Sequence, residues 1–239
     1  MVSVLVVRMI GGVAAGALLL SGCGSGEDPP GGSGSGPASS SASPSSSASA
    51  ASTGTPSSGT PAEATKRATS ATRKALLPSG AFEKIGLKVV DKPTTKKWDW
   101  FETCRPSLPS ESRQVIGTAG EWDGDGMTVS QTVVAYPDGV GEDIVGEVAE
   151  AVTCPSYSAN GHSYSAVEAV DLPKVDKADA KHAWCMVEKK EDVTICHSVL
   201  AAQDLVSSLW VRSGDAGAAK DAMAVLTQLA SERIDRQIS

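Results

Sequence analysis

Residues 182–199 read HAWCMVEKKEDVTICHSV, two runs rich in β-branched and aromatic residues around a charged centre, Lys189-Lys190-Glu191-Asp192. Such runs on either side of a polar turn predict an antiparallel hairpin. A turn between Lys190 and Glu191 sets Cys185 directly opposite Cys196. Opposed residues in an antiparallel pair lie about 4.5–5.5 Å apart at Cα, within reach of a disulfide. The same register puts Trp184, Met186, Val193 and Ile195 on the other face, which reads as the core face. The bridge then falls on the outer face, where only a covering helix would bury it.

The remaining cysteines extend this pattern. Cys23 stands apart in an N-terminal leader, leaving Cys104, Cys154, Cys185 and Cys196. An even count in an exported chain reads as two disulfides, and four cysteines allow three pairings. Zinc would want close pairs such as C-x₂-C, which are missing, so no metal is expected. If Cys185 pairs with Cys196, elimination leaves Cys104 with Cys154, tying an early loop to the end of a helix. A peptide joining Cys104 to either hairpin cysteine would reject this pairing.

Upstream of the hairpin, Ser163 to Val170 reads as a strand. Val140, Ile144, Val148 and Val152 recur every four residues, an amphipathic helix. Gln114 to Tyr136 forms two strands around Asp123-Gly124-Asp125-Gly126, a strong turn signal. Trp98, Trp100 and Phe101 make the densest aromatic cluster. Ile85, Leu87 and Val89 alternate as in a strand, and Glu63 to Leu77 has helical propensity until Pro78 stops it. Downstream, Leu205 to Arg212 is a further strand. Asp215 can cap a closing helix whose stripe is Ala222, Val225, Leu226 and Leu229. Short connections make the later strands antiparallel. The fold class expected is α+β: a mainly antiparallel sheet with flanking helices and two disulfides, over residues 63–239.

The preceding residues look different. Residues 1–22 have the form of an export signal, with Arg8 in the head, an apolar stretch from Met9 to Leu20 and a small-residue exit. That stretch is short for a membrane span, which needs roughly 20 apolar residues. The exit, Leu20-Ser21-Gly22-Cys23, resembles the bacterial lipobox. The resemblance implies that Cys23 is diacylated and becomes the mature N-terminus. At about 0.8 kcal/mol per buried CH₂, two acyl chains hold a protein on a membrane. The rest of 23–62 is nearly all Gly, Ser, Ala, Pro and Thr, a composition that forms no core and serves as a tether of roughly 35 Å root-mean-square span. The chain is therefore expected outside the cytoplasmic membrane, anchored to its outer face.

Of 239 residues, 28 are acidic and 21 basic, a formal charge of −7. With no Lys/Arg cluster, nucleic acid is excluded as an expected partner. Lys66, Arg67, Arg73 and Lys74 read as a solvated helix face. His162, His182 and His197 each lie on or beside a strand with no nucleophile motif near them. Asp123-Gly124-Asp125-Gly126 lacks the third acidic ligand of a calcium loop and has Val134 where its bidentate Glu belongs. Gly117-Thr118-Ala119-Gly120 lacks the Lys of a phosphate loop. Trp98 and Trp100 face the same way if extended, which makes a shared groove conceivable, with core filling the commoner role. No catalytic residue and no cofactor is expected.

Several stretches together resemble the extracellular sensor domain of actinobacterial membrane Ser/Thr kinases, found also on free lipoproteins of that lineage. They are Leu76-Leu77 with Ile85-Gly86, Val129 to Tyr136 with Gln131, the helix running into Cys154, and Cys196-His197-Ser198-Val199-Leu200 followed by Leu205 to Arg212 and a closing helix. They span most of 75–239. The resemblance implies an α+β domain with a concave cleft for an extracellular ligand, and no catalytic residues to carry over. In that family the cysteine opening this strand pair has its partner further along. Here no residue downstream of Cys196 can pair with it, and Cys185 precedes it, so the family's disulfide connectivity does not transfer. The reading is a non-catalytic lipoprotein binding a small ligand or an envelope protein; an envelope hydrolase and a structural or assembly accessory are the alternatives.

Overall fold

The computed structural model describes residues 60–105, 107–137, 139–172 and 178–238. Cys23, the export signal and nearly all of the tether lie outside the described residues. The chain divides into two units, Met1–Gly54 and Thr55–Ser239, and the described residues belong to the second.

Helix α1 (Pro61–Ala75) starts at a capping box. The Thr60 hydroxyl accepts from the Glu63 amide at 3.3 Å, and the Glu63 carboxylate accepts from the Thr60 amide at 2.8 Å. Short strands β1 (Lys88–Val89) and β2 (Thr94–Lys96) both pair with β3 (Ile116–Gly124). β3 turns through Asp125 and Gly126, both at positive φ, into β4 (Met127–Ala135). Then come α2 (Gly141–Ala151), β5 (Ser156–Ala159), β6 (His162–Ala169), β7 (Ala180–Glu188), β8 (Val193–Ala202), β9 (Leu205–Ser213) and α3 (Ala216–Ile238). The nine strands form one antiparallel sheet in the order β1-β3-β4-β9-β8-β7-β6-β5, with β2 beside β1 on β3. Cys185 pairs directly with Cys196 across β7 and β8, as the hairpin reading requires.

Both faces of the sheet are covered, so the question of which face is core dissolves. Helices α1 and α3 cover one face, where Val129, Leu209, Val211, Met223, Leu226 and the Cys185–Cys196 bridge are buried together. Helix α2 and the segment around Phe101 and Leu108 cover part of the other, over Val134, Val199, Val206 and Trp184. Several buried polar side chains on the first face are paired, although the Ser231 hydroxyl of α3 is not. Gln131 accepts from the Leu77 amide at 2.7 Å and donates to Ser207 at 2.9 Å, while Ser198 meets Thr227 of α3 at 2.8 Å.

Two expectations need correcting, and one strand lies outside them. The stretch from Ala81 to Val90 is not one strand: a 3-10 turn, Glu83–Ile85, ends at Gly86 in the left-handed region (φ 82), and Ile85 stays 57% exposed. The closing helix buries Ala219, Met223, Leu226, Ala230 and Ile234, whereas Val225 is 60% exposed. Choosing the largest side chains misphased the stripe, because small residues are what let α3 approach the sheet. Strand β5 goes unread in the sequence because its four residues, Ser156–Ala159, are too few to carry an alternation signal.

Helix α2 sits close on the β8–β9 turn. A Cβ on Gly141 would lie 2.6 Å from the Gln203 carbonyl and 2.9 Å from the Ala201 methyl. Gly141→Ala is therefore expected to destabilise by about 2 kcal/mol through overpacking, read as a shift in denaturation midpoint at unchanged slope.

Candidate functional site

Helix α2 leaves the far part of its face open, and there the strand period of two builds a floor. Register aligns Thr128, Arg212, Ile195 and Met186 in one row, and Trp210, His197 and Trp184 in the next. Glu188 lies opposite Tyr164, and Tyr164 opposite Tyr157, which carries the surface onto the β5–β6 hairpin. The segment from Asp99 to Thr103 forms the other wall. The result is a cleft of about 490 Å³.

That wall has no strand or helix of its own, and two side chains hold it. Gln114 serves the Trp98 backbone on both sides, accepting from its amide at 2.9 Å and donating to its carbonyl at 2.7 Å. The buried Glu111 carboxylate accepts from the amides of Trp100 (2.9 Å), Phe101 (3.0 Å) and Leu108 (3.1 Å). The Cys104–Cys154 disulfide, Cα–Cα 5.8 Å, then staples the wall to the chain just beyond α2. Trp100 donates its indole N–H to the Tyr136 hydroxyl at 2.9 Å, and burial pushes that phenol up to about 12. Sequence reasoning missed Glu111 and Gln114. Only the three-residue spacing of Leu108 and Glu111, an N-cap to N3 interval behind Pro109, hints at the first.

The aromatic cluster is split. Trp100 lines this cleft, Phe101 is buried beneath the wall, and Trp98 lines a separate hollow of about 210 Å³ at the β1/β2 edge, under the Lys96 ammonium at 4.2 Å. A shared Trp98/Trp100 groove does not exist, because the connecting segment is not a flat strand.

Two of the three histidines line the cleft. His162 meets Glu188 at 3.4 Å, and Glu188 also caps the β7–β8 turn by accepting the Lys190 and Glu191 amides at 3.1 and 3.0 Å. Burial alone would raise that carboxyl; the two amides and His162 outweigh it and hold it below the ordinary glutamate value. His197 stacks on Trp184 at 4.9 Å with the rings 3° from parallel, and His182 stacks on the same indole at 5.8 Å. Desolvation pulls His197 down to about 3, and its buried Nε2 has no hydrogen-bond partner. The unfolded imidazole takes up its proton near 6.5 and the folded one only near that lower value. Stability is thus whole above the upper value and is lost as pH falls through the window. His197→Phe keeps the stack and is expected to flatten this slope, which stays within one proton, in urea midpoints measured at steps down from neutrality.

On the opposite face, a groove of about 430 Å³ between α3 and the 3-10 turn is lined mainly by apolar side chains, among them Phe82, Ile85, Val225 and Leu229. Among the described residues no cluster of His, Cys, Asp and Glu could hold a metal ion, and no helix is long and apolar enough to cross a membrane. Asp123 accepts from Thr128 at 2.7 Å within the β3–β4 turn.

The class defined is an antiparallel sheet helix-covered on both faces, stapled by two disulfides and open at one mixed aromatic and charged cleft. No family model and no curated protein matches the chain. Among solved structures, the fold is similar to the extracellular domain of PknH from Mycobacterium tuberculosis, with TM-score 0.51 and 12% identity over 72% of this chain and 96% of that one. An uncharacterized protein of Mycobacterium smegmatis, an Rv0999 ortholog, aligns at TM-score 0.36 and 10% identity over 70% of this chain and 96% of that one. The resemblance read from the sequence is thereby borne out at the level of the fold.

Proposed function

We propose that this chain is a lipid-anchored envelope protein whose extracytoplasmic domain binds a small ligand without transforming it, as a sensor or scavenger. The observation that carries the reading is the cleft. It is preformed, walled by a segment that two buried side chains and a disulfide hold in place, and lined by rings and charged groups that converge on one space. The likeness of the fold to an extracellular domain supports the same address, and so does a chain whose four other cysteines pair into disulfides. The anchor rests on the lipobox at Cys23. Metabolic labelling with a fatty-acid probe is expected to mark the chain, and Cys23→Ala to release it from the membrane fraction. Native mass spectrometry of the protein taken from its host is expected to show a retained molecule that Trp210→Ala loses. A chain that carries nothing, and melts unchanged with envelope lipids and glycans, would overturn the binding reading.

One observation favours an envelope hydrolase instead: a histidine and a carboxylate, His162 and Glu188, meet inside the cleft. Against it, Glu188 already serves two turn amides, and the described contacts of His162 include no serine or cysteine nucleophile. Turnover of an envelope substrate that His162→Ala abolishes would establish that alternative.

A further inference from the structure

Resting on the binding reading above, we propose that the cleft takes an organic cation, an ammonium or guanidinium group bearing N–H donors on an apolar body. Three features of one space converge on that chemistry. The first is its rings. Trp100, Tyr157, Tyr164 and Trp210 all face it, and Tyr157 and Tyr164 stack at 4.7 Å into a continuous wall. Aromatic faces carry negative potential and attract a cation, more strongly where water is excluded.

The second is charge. Asp99, Glu102 and Glu188 line the cleft, while Arg212, the one Arg or Lys among its described lining residues, is already ion-paired with Glu191. Glu188 is engaged by the Lys190 and Glu191 amides and by His162. Asp99 and Glu102 are therefore the carboxylates facing a ligand, and Glu102 holds one contact, from Asn160 at 2.9 Å. An anion placed here would meet the like charge of three carboxylates.

The third is an unanswered acceptor. The His197 ring lines the cleft, stays neutral at ordinary pH, and has its Nε2 buried without a partner. A neutral imidazole in the Nδ1–H tautomer offers Nε2 as an acceptor, and an ammonium or guanidinium N–H satisfies it. Rings for the apolar body and the charge, carboxylates for the charge, and one buried acceptor for a proton donor describe a single kind of guest.

The test uses four probes that share a five-carbon alkyl chain and differ in the head: pentylamine, pentylguanidine, pentanol and hexanoate. Each is titrated into the full chain in a neutral detergent, following the indole N–H resonances of Trp100 and Trp210, assigned by Trp→Phe substitution. The two cations are expected to bind about tenfold more tightly than pentanol, and hexanoate more weakly still. Asp99→Asn with Glu102→Gln should remove most of that preference. Arg212→Gln, which takes away a repelling charge and frees Glu191, should tighten cation binding several-fold, a gain that misfolding cannot imitate. Equal binding of all four heads, or tightest binding of hexanoate or pentanol, overturns the cation assignment and leaves the cleft reading intact. No response of either indole to any probe also overturns the assignment. The cleft reading then stands or falls separately, on whether Trp210→Ala loses a molecule retained from the host.

Discussion

Replacing Cys104 and Cys154 together by serine is expected to cost about 4 kcal/mol, a loss larger than that from removing the Cys185–Cys196 bridge. The two bridges differ in what they constrain. Cys104–Cys154 closes a loop with a sequence separation of 50, and Cys185–Cys196 one of 11. In the chain-entropy account the longer loop withdraws more freedom from the unfolded state, about 4 kcal/mol against less than about 3. The folded state sharpens the contrast. Cys185 and Cys196 already face each other within a nine-pair ladder, so the hairpin keeps its register without them. Cys104 sits at φ 61, a left-handed conformation unusual for a residue with a Cβ, in a segment with no strand of its own. Without the bridge that conformation is unsupported and the far end of the wall is released. Denaturant unfolding without reductant checks the order of the two losses, and acrylamide quenching of Trp100 checks the wall. An equal or greater loss on removing the hairpin bridge would mean that the cleft wall holds itself.

Much of the fold was legible because it follows period and spacing. The β7–β8 hairpin, its disulfide register, the strand pair around Asp125-Gly126 and the helix through Ile144 and Val148 all come from residues whose side chains alternate or recur on one face. Where side chains are small or the backbone is irregular, the signal fails. Helix α3 packs by Ala219 and Ala230, so the larger Val225 and Leu229 point to the wrong face. The cleft was legible only as an implication of the resemblance. Its floor residues recur at every second position, yet so do those of the core on the other face. Only three-dimensional coverage by α2 separates Val199, which is roofed, from His197, which is open to the cleft. The wall was not legible at all. Its positions are set by Glu111 and Gln114, reaching 10–16 residues back along the chain to backbone groups, and no periodicity encodes a side chain that substitutes for a strand.

Glu111→Ala is expected to destabilise the domain by about 4 kcal/mol and to open the cleft. The carboxylate is the acceptor for three amides, at Trp100, Phe101 and Leu108, and two of those residues are themselves buried. Each amide left without a partner costs about 1–3 kcal/mol, and the wall's partial movement toward water relieves part of the sum. Glu111→Gln keeps one carbonyl oxygen for Trp100 and Phe101 but turns an NH₂ toward the Leu108 amide, so a smaller loss of about 2 kcal/mol is expected. The gap between wild type and Glu111→Ala also carries a pH signature. Burial raises the Glu111 carboxyl above its ordinary 4.5, against the pull of the same three amides. A raised carboxyl contributes its full share below that ordinary value and loses some as pH rises through the folded value. Measured with His197→Phe in both proteins, so that opening the cleft does not also shift the His197 titration, the gap should be widest in acid and narrow to a plateau toward neutrality. Paired denaturant midpoints across that range read the gap directly. A gap that widens with rising pH would show that the amide hydrogen bonds prevail over burial, and a gap under about 1 kcal/mol would show that the wall stands without its buried acceptor.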